Sequence, residues 1–255
     1  MSTDTTRSRD SEEATDEETL KRIVDRTPTR LGVGRAGPRP RTDTLLEFRA
    51  DHGLARDAVL SRVSESFVSE LGLVSLRSRA ADMDQYLARP DRGRELEAAS
   101  LERLHEDCKH APEVQLIVSD GLSSSAVEAN VPDLLPALED GLADHEIDVG
   151  TPVFVHFGRV DVMDAVGEEL EAECCVILIG ERPGLRSAES LSAYLVYGPE
   201  RGTPTARKSV ISNIHDRGLP PVEAGAELVD LIREMIEHEA SGIDLREDDR
   251  EFIEQ

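Results

Sequence analysis

From Val114 onward, short continuous apolar runs recur along the chain: Val114 to Val118, Pro152 to Phe157 and Cys174 to Ile179. None alternates with polar residues, which is how strands buried on both faces read. Each closes on a turn: Ser119-Asp120-Gly121, Gly158-Arg159-Val160, and Gly180-Glu181-Arg182-Pro183-Gly184. Helical segments lie between them, from about Ser125 to Ala143 and from Val162 to Glu171, and Pro132 and Pro136 are expected to break or delay the first. Three strand–loop–helix units in series predict parallel strands joined by right-handed crossovers, with their loops gathered on one edge. Ser192 to Tyr197 and Ser209 to Ser212 read as further strands, the second ending in Ser212-Asn213-Ile214-His215. Pro221 starts an amphipathic helix through about Glu239 that buries Val222, Leu228, Val229, Ile232 and Ile236. The fold class is α/β, Rossmann-like, a mostly parallel sheet with helices on both faces.

The first half follows a different period. A helix at Leu20 to Val24 follows an acidic, polar start with little to bury. Thr42 caps a helix through Asp51, and Leu54, Ala58, Val59, Val63 and Phe67 repeat at helical spacing up to Leu71. A short strand at Leu73 to Leu76 and a helix from Arg94 to about His110 complete a mainly helical N-terminal domain. The expected organisation is a tail and short helix (1–27), an Arg/Pro/Gly-rich arm (28–41), a helical domain (42–110), an α/β domain (111–243) and an acidic tail (244–255).

Charge changes the picture of the surroundings more than of the fold. Lys+Arg total 29 against Asp+Glu 53, a net charge of −24, and Lys21, Lys109 and Lys208 are the only lysines. A hydrated acidic surface of this kind suits a halophilic protein kept soluble in concentrated salt, and it would repel the phosphates of a nucleic acid. Cys108, Cys174 and Cys175 are odd in number, and neighbours on a strand point to opposite faces, so no disulfide framework is implied. With no apolar run near the roughly 20 residues that span a bilayer and no basic, hydrophobic leader, a soluble cytoplasmic protein without membrane contact is expected.

Candidate chemistry concentrates in loops. Pro28 to Thr42 contains no acid, while Arg30, Arg35, Arg39 and Arg41 are set among prolines and glycines. Gly32-Val33-Gly34-Arg35-Ala36-Gly37 matches G-x-G-x-x-G but lacks the strand before and the helix after that a dinucleotide site needs. The segment reads instead either as an arm whose arginines grip carboxylates or as a solvated loop. No metal-ligand spacing occurs, and His105 and His110 form a surface pair. Ser123, Ser124 and Ser125 make no G-x-S-x-G elbow. Asn213-Ile214-His215-Asp216-Arg217-Gly218 departs by one residue from the D-x-H-x-x-G motif of proteins that ligate cobalt through histidine, and the missing carboxylate argues against that role. From the residues alone the loop edge reads as a binding surface, which leaves open a self-sufficient hydrolase or lyase using Asp120, Glu181 and His215, and a small-ligand module without chemistry.

Several segments in order carry a family resemblance: Val33 to Thr42, Val118-Ser119-Asp120-Gly121-Leu122-Ser123, Gly150-Thr151-Pro152, Gly158-Arg159-Val160, Gly180 to Leu185, Ser212 to His215 and Pro220 to Ala224. Together they resemble the light chain, or small subunit, of ethanolamine ammonia-lyase. The resemblance implies a subunit of an adenosylcobalamin enzyme that converts ethanolamine to acetaldehyde and ammonia. Its large subunit, a TIM barrel, would bind ethanolamine and carry the radical chemistry, while the small subunit covers the cobalamin; catalytic residues are not expected on this chain, nor is a metal ligand. The resemblance places cofactor contacts on Val160, Glu181 and Val210, the last where a cysteine is common. It further implies a hetero-oligomer of six large and six small subunits, an arm at Arg30 to Arg41 laid on the large subunit, and, in bacterial relatives, enclosure in a microcompartment. These three positions, remote in sequence, are expected to form one shelf beneath the corrin.

Overall fold

The computed structural model describes residues 18–26, 31–184 and 188–245, and the chain divides into two compact units, 1–55 with 184–187, and 56–183 with 188–255. In the first unit, residues 18–24 form the described part of helix α1. Strands β1 (Arg35–Ala36) and β2 (Arg39–Pro40) make a small antiparallel hairpin with Arg35 opposite Pro40. The arm expected at 28–41 is thus a hairpin over its described part, with Arg41 turned toward Asp43 at 3.9 Å; Arg30 lies outside the described residues. Helix α2 runs from Thr42 to Leu60, joining stretches that the sequence suggested as separate helices.

The second unit is built on a six-stranded sheet of order β3-β5-β4-β6-β7-β8. Its strands are β3 (Val74–Arg77), β4 (Val114–Ser119), β5 (Val153–His156), β6 (Cys174–Gly180), β7 (Leu191–Tyr197) and β8 (Ser209–Ile214). The first four in that order are parallel; β7 is antiparallel to β6 and β8 to β7. Every residue of β4, β5 and β6 is buried, as their unbroken apolar runs require. The segment expected to be mainly helical supplies α3 (Glu65–Glu70), α4 (Met83–Ala88) and α5 (Ala98–Asp107), and also the edge strand β3, which pairs with β5.

Helices cover both faces. α6 (Ser124–Asp144) and α8 (Pro221–His238) bury Leu134, Leu138, Leu228 and Ile232 against Cys174, Val176, Leu178 and Leu195. On the opposite face, Leu104 of α5 and Val162, Met163 and Val166 of α7 (Val162–Leu170) pack with Cys175, Ile177 and Ile179. Cys174 and Cys175 therefore do point to opposite sides, and burial pushes the Cys174 thiol up to about 12. α6 does not break at its prolines. Pro132 and Pro136 are both exposed, and their spacing of four puts them on one outward stripe, where water can take the carbonyls they leave unpaired while the opposite stripe stays buried.

Candidate functional site

The carboxyl ends of β4, β5, β6 and β8 lie on the same edge of the sheet, since two reversals return β8 to the direction of β6. Between β4 and β6 this edge is tightly closed. Gly121 sits in the left-handed region at φ 57°, and a side chain on it would run into the Gly180 carbonyl; one on Gly180 would meet the Ser123 and Asp120 carbonyls. Leu122 N–H donates to the Gly180 carbonyl at 3.0 Å. The start of the loop that carries Glu181 is thereby locked to the loop after β4.

The loop after β5 is held from several sides. Phe157 adopts φ 58°, a conformation strained for a bulky residue, and its N–H donates to Asp120 Oδ1 at 2.9 Å while Ser78 Oγ donates to its carbonyl at 2.8 Å. Tyr86 donates its hydroxyl to the Gly158 carbonyl at 3.3 Å, and the Arg159 guanidinium lies 4.0 Å from the Tyr86 ring centre while donating to the Tyr86 carbonyl at 2.8 Å. Asp120 is buried, its Oδ2 has no partner among the described residues, and burial pushes its carboxyl up to about 7 against the pull of the Phe157 amide.

Val160, Glu181 and Val210 all fall on the α5/α7 side of the sheet. Val160 is half-buried against that core. Glu181 follows Gly180 in the alternation that puts Ile177 and Ile179 on this face, and it accepts a hydrogen bond from the Tyr194 hydroxyl at 3.1 Å. Tyr194 packs on the same core, and Val210 is its partner across the antiparallel pair of β7 and β8, so the two side chains share a face. Val210 is 52% exposed.

Two ties join these positions. Tyr194 connects Glu181 to the strand that pairs with Val210, and burial, helped by the Glu181 charge, pushes its phenol up to about 12. The second tie runs through a buried lysine: Lys208 Nζ donates to half-buried Asp161 Oδ1 at 2.7 Å and to buried Asp164 Oδ2 at 2.8 Å, linking the residue after Val160 to the residue just before the strand that carries Val210. Ser192, opposite Ile179 on this face, is fully buried, and its Oγ has no partner among the described residues.

Reading the sequence missed Tyr194, Lys208, Asp161 and Asp164. The only hint was that a chain with 29 lysines and arginines keeps so few as lysine and places one at the head of a strand.

The three groups of the hydrolytic alternative are engaged elsewhere. His215 accepts from the Arg217 N–H at Nδ1, 3.2 Å, so its Nε2 donates to Asn213 Oδ1, 2.9 Å, and the ring staples its own turn. Asp120 accepts from Phe157, and Glu181 from Tyr194. The described hydrogen bonds join none of these three side chains to another. Among the described residues no group of three or more His, Cys, Asp and Glu is placed to hold a metal ion, and no helix is long and apolar enough to cross a membrane.

The model of the ethanolamine ammonia-lyase light chain (EutC) family matches residues 17–246. The ethanolamine ammonia-lyase small subunit of Fusobacterium nucleatum is 49% identical over 91% of this chain and 79% of its own length. That of Listeria monocytogenes is 47% identical over 92% of this chain and 80% of its own, and that of Clostridium tetani 49% over 90% and 78%. With agreement over nearly its whole length, this chain belongs to the ethanolamine ammonia-lyase light-chain family.

Proposed function

We propose that the chain is the small subunit of an adenosylcobalamin-dependent ethanolamine ammonia-lyase, and that it binds and covers the cobalamin against a TIM-barrel large subunit that does the chemistry. What supports this reading is that Val160, Glu181 and Val210 share one side of the sheet, with Glu181 bonded to Tyr194 opposite Val210 and Asp161, the residue after Val160, bonded to Lys208. A corrin is a wide apolar disc fringed with carboxamides, so its site needs flat apolar contacts and a few acceptors for amide N–H groups. The residues present fit: Val210 and Val160 offer apolar surface, and the Glu181 carboxylate offers an acceptor whose orientation Tyr194 fixes. When bound, adenosylcobalamin supplies a radical that the protein's own side chains cannot generate.

The work of this chain is then to orient the disc and exclude water from its covered side, while adding no catalytic residue. A contact through Val210 is apolar, so it does not depend on the thiol that is common at this position in the family. The arginine-bearing hairpin would favour docking on a carboxylate-bearing surface of the large subunit, in an assembly of six large and six small subunits. The net charge of −24 suits a halophilic cell, so secondary structure followed by circular dichroism should be lost as salt is lowered.

The decisive experiment mixes this chain, its large subunit and adenosylcobalamin and follows acetaldehyde from ethanolamine. Activity only with all three components is expected. Activity from this chain alone, or without cobalamin, would reject the proposal.

A further inference from the structure

We propose that Lys208 and Asp161 are positioning residues for the cofactor: the cluster of buried Lys208 and Asp164 with half-buried Asp161 sets the span between Val160 and Val210 and so fits the shelf to the disc laid on it. This rests on the cobalamin reading above.

The cluster sits where a strut would act. Asp161 directly follows Val160, at the head of α7, while Lys208 lies just before β8 and two residues from Val210. β8 and the loop after β5 belong to distant parts of the sheet, with β4, β6 and β7 between their strands. No backbone ladder connects them, and the Lys208 ammonium bridges the gap.

The chemistry of the bridge suits lysine. Its ammonium has three donors, and three acceptors surround it: Asp161 Oδ1 at 2.7 Å, Asp164 Oδ2 at 2.8 Å and the Thr203 carbonyl at 3.4 Å. The flat fork of an arginine could not point at all three. The Lys208 and Asp164 side chains are almost wholly buried, 1% and 2% exposed, so water screens their attraction little. Asp161 is held on its other side by Arg94 at 3.1 Å, which prevents its carboxylate from turning away. Burial pushes the Asp164 carboxyl up to about 6, against the pull of the Lys208 ammonium that it bonds at 2.8 Å.

A fold needing only stability here would be served as well by apolar side chains, because the cost of desolvating a buried ion pair offsets most of its attraction. Such a pair does fix a distance and a direction, which apolar packing does less sharply.

The test uses the complex of this chain with its large subunit, titrated with adenosylcobalamin. Asp161→Ala leaves Lys208 balanced by Asp164 but cuts the link to Val160. It is expected to assemble normally, to bind the cofactor roughly tenfold more weakly, and to lose less than that in kcat at saturating cofactor. Lys208→Met combined with Asp164→Leu removes the buried charges together, so folding is retained without the strut, and the same loss of affinity is expected. Arg207→Gln, which breaks a neighbouring exposed pair with Asp244, serves as the control and should bind as the parent does. An Asp161→Ala or double-variant complex that binds as tightly as the parent would overturn the proposal and leave the cluster a structural one. Failure of the cobalamin reading looks different: the parent complex itself takes up no cobalamin, or Val160→Asp and Val210→Asp leave uptake unchanged, and the strut falls with it.

Discussion

The two faces of the central sheet are covered unequally. On one, α6 and α8 pack on each other and reach across β6, β7 and β8, so that Leu195 and Ile214 are as buried as Leu116 at the centre. On the other, α7 packs on β6 and α5 on β3, and toward β8 the residues of this face grow more open, from Ile177 through half-buried Tyr194 to exposed Val210. The first face can serve stability alone. On the second, among the described residues, burial falls away toward the β8 edge, where Val210 is left 52% exposed.

The sharpest way to break this comparison is to truncate one residue on each face. Leu138→Ala, on the closed face, should cost about 2–5 kcal/mol in urea unfolding, because a filled site becomes a cavity. Val210→Ala should change stability by no more than about 0.5 kcal/mol. Similar losses from both would mean that the second face is ordinary core.

Val210→Asp sharpens the contrast: stability should stay near the parent value while cobalamin uptake by the assembled complex falls by more than about tenfold, since a charge would be buried under the disc. Tyr194→Phe is a smaller change. Losing the hydrogen bond to Glu181 should cost about 0.5–1.5 kcal/mol of stability and weaken cofactor binding a few-fold, read from the same titration.

The subtlest effect concerns Asp120, at the edge where the two faces meet. Its folded carboxyl titrates near 7, raised by burial from an ordinary value of 3.8, so the folded chain holds a proton that the unfolded chain releases. The stability this contributes is complete below about 4 and is lost as pH rises through about 7. Urea midpoints of the parent relative to Asp120→Asn should therefore decline between those limits. Asparagine keeps the acceptor for Phe157 without the charge, and a pH-independent difference would show that Asp120 stays ionised.

β4, β5 and β6 were legible because strands buried on both faces need unbroken apolar runs, and these had them. α6 was misread at Pro132 and Pro136 because local rules cannot see that both rings face water while the other stripe is buried. The direction of β7 was invisible, since Leu191 to Tyr197 reads the same in a parallel or antiparallel setting. Val160, Glu181 and Val210 were reached through family motifs rather than through periodicity. Their ties through Tyr194 and Lys208 depend on register between distant strands, which no single stretch of sequence records.

The reversal at β7 has a topological consequence. A parallel connection must travel back along the sheet, and the helix that carries it is left as a roof over whichever side it crosses. An antiparallel pair needs no such crossover. By pairing Gly180 directly with Leu191, the chain adds β7 without a crossover helix, and β8 follows it antiparallel, so strand direction is one reason why Val210 at the edge stays open while Ile177 nearer the centre is buried.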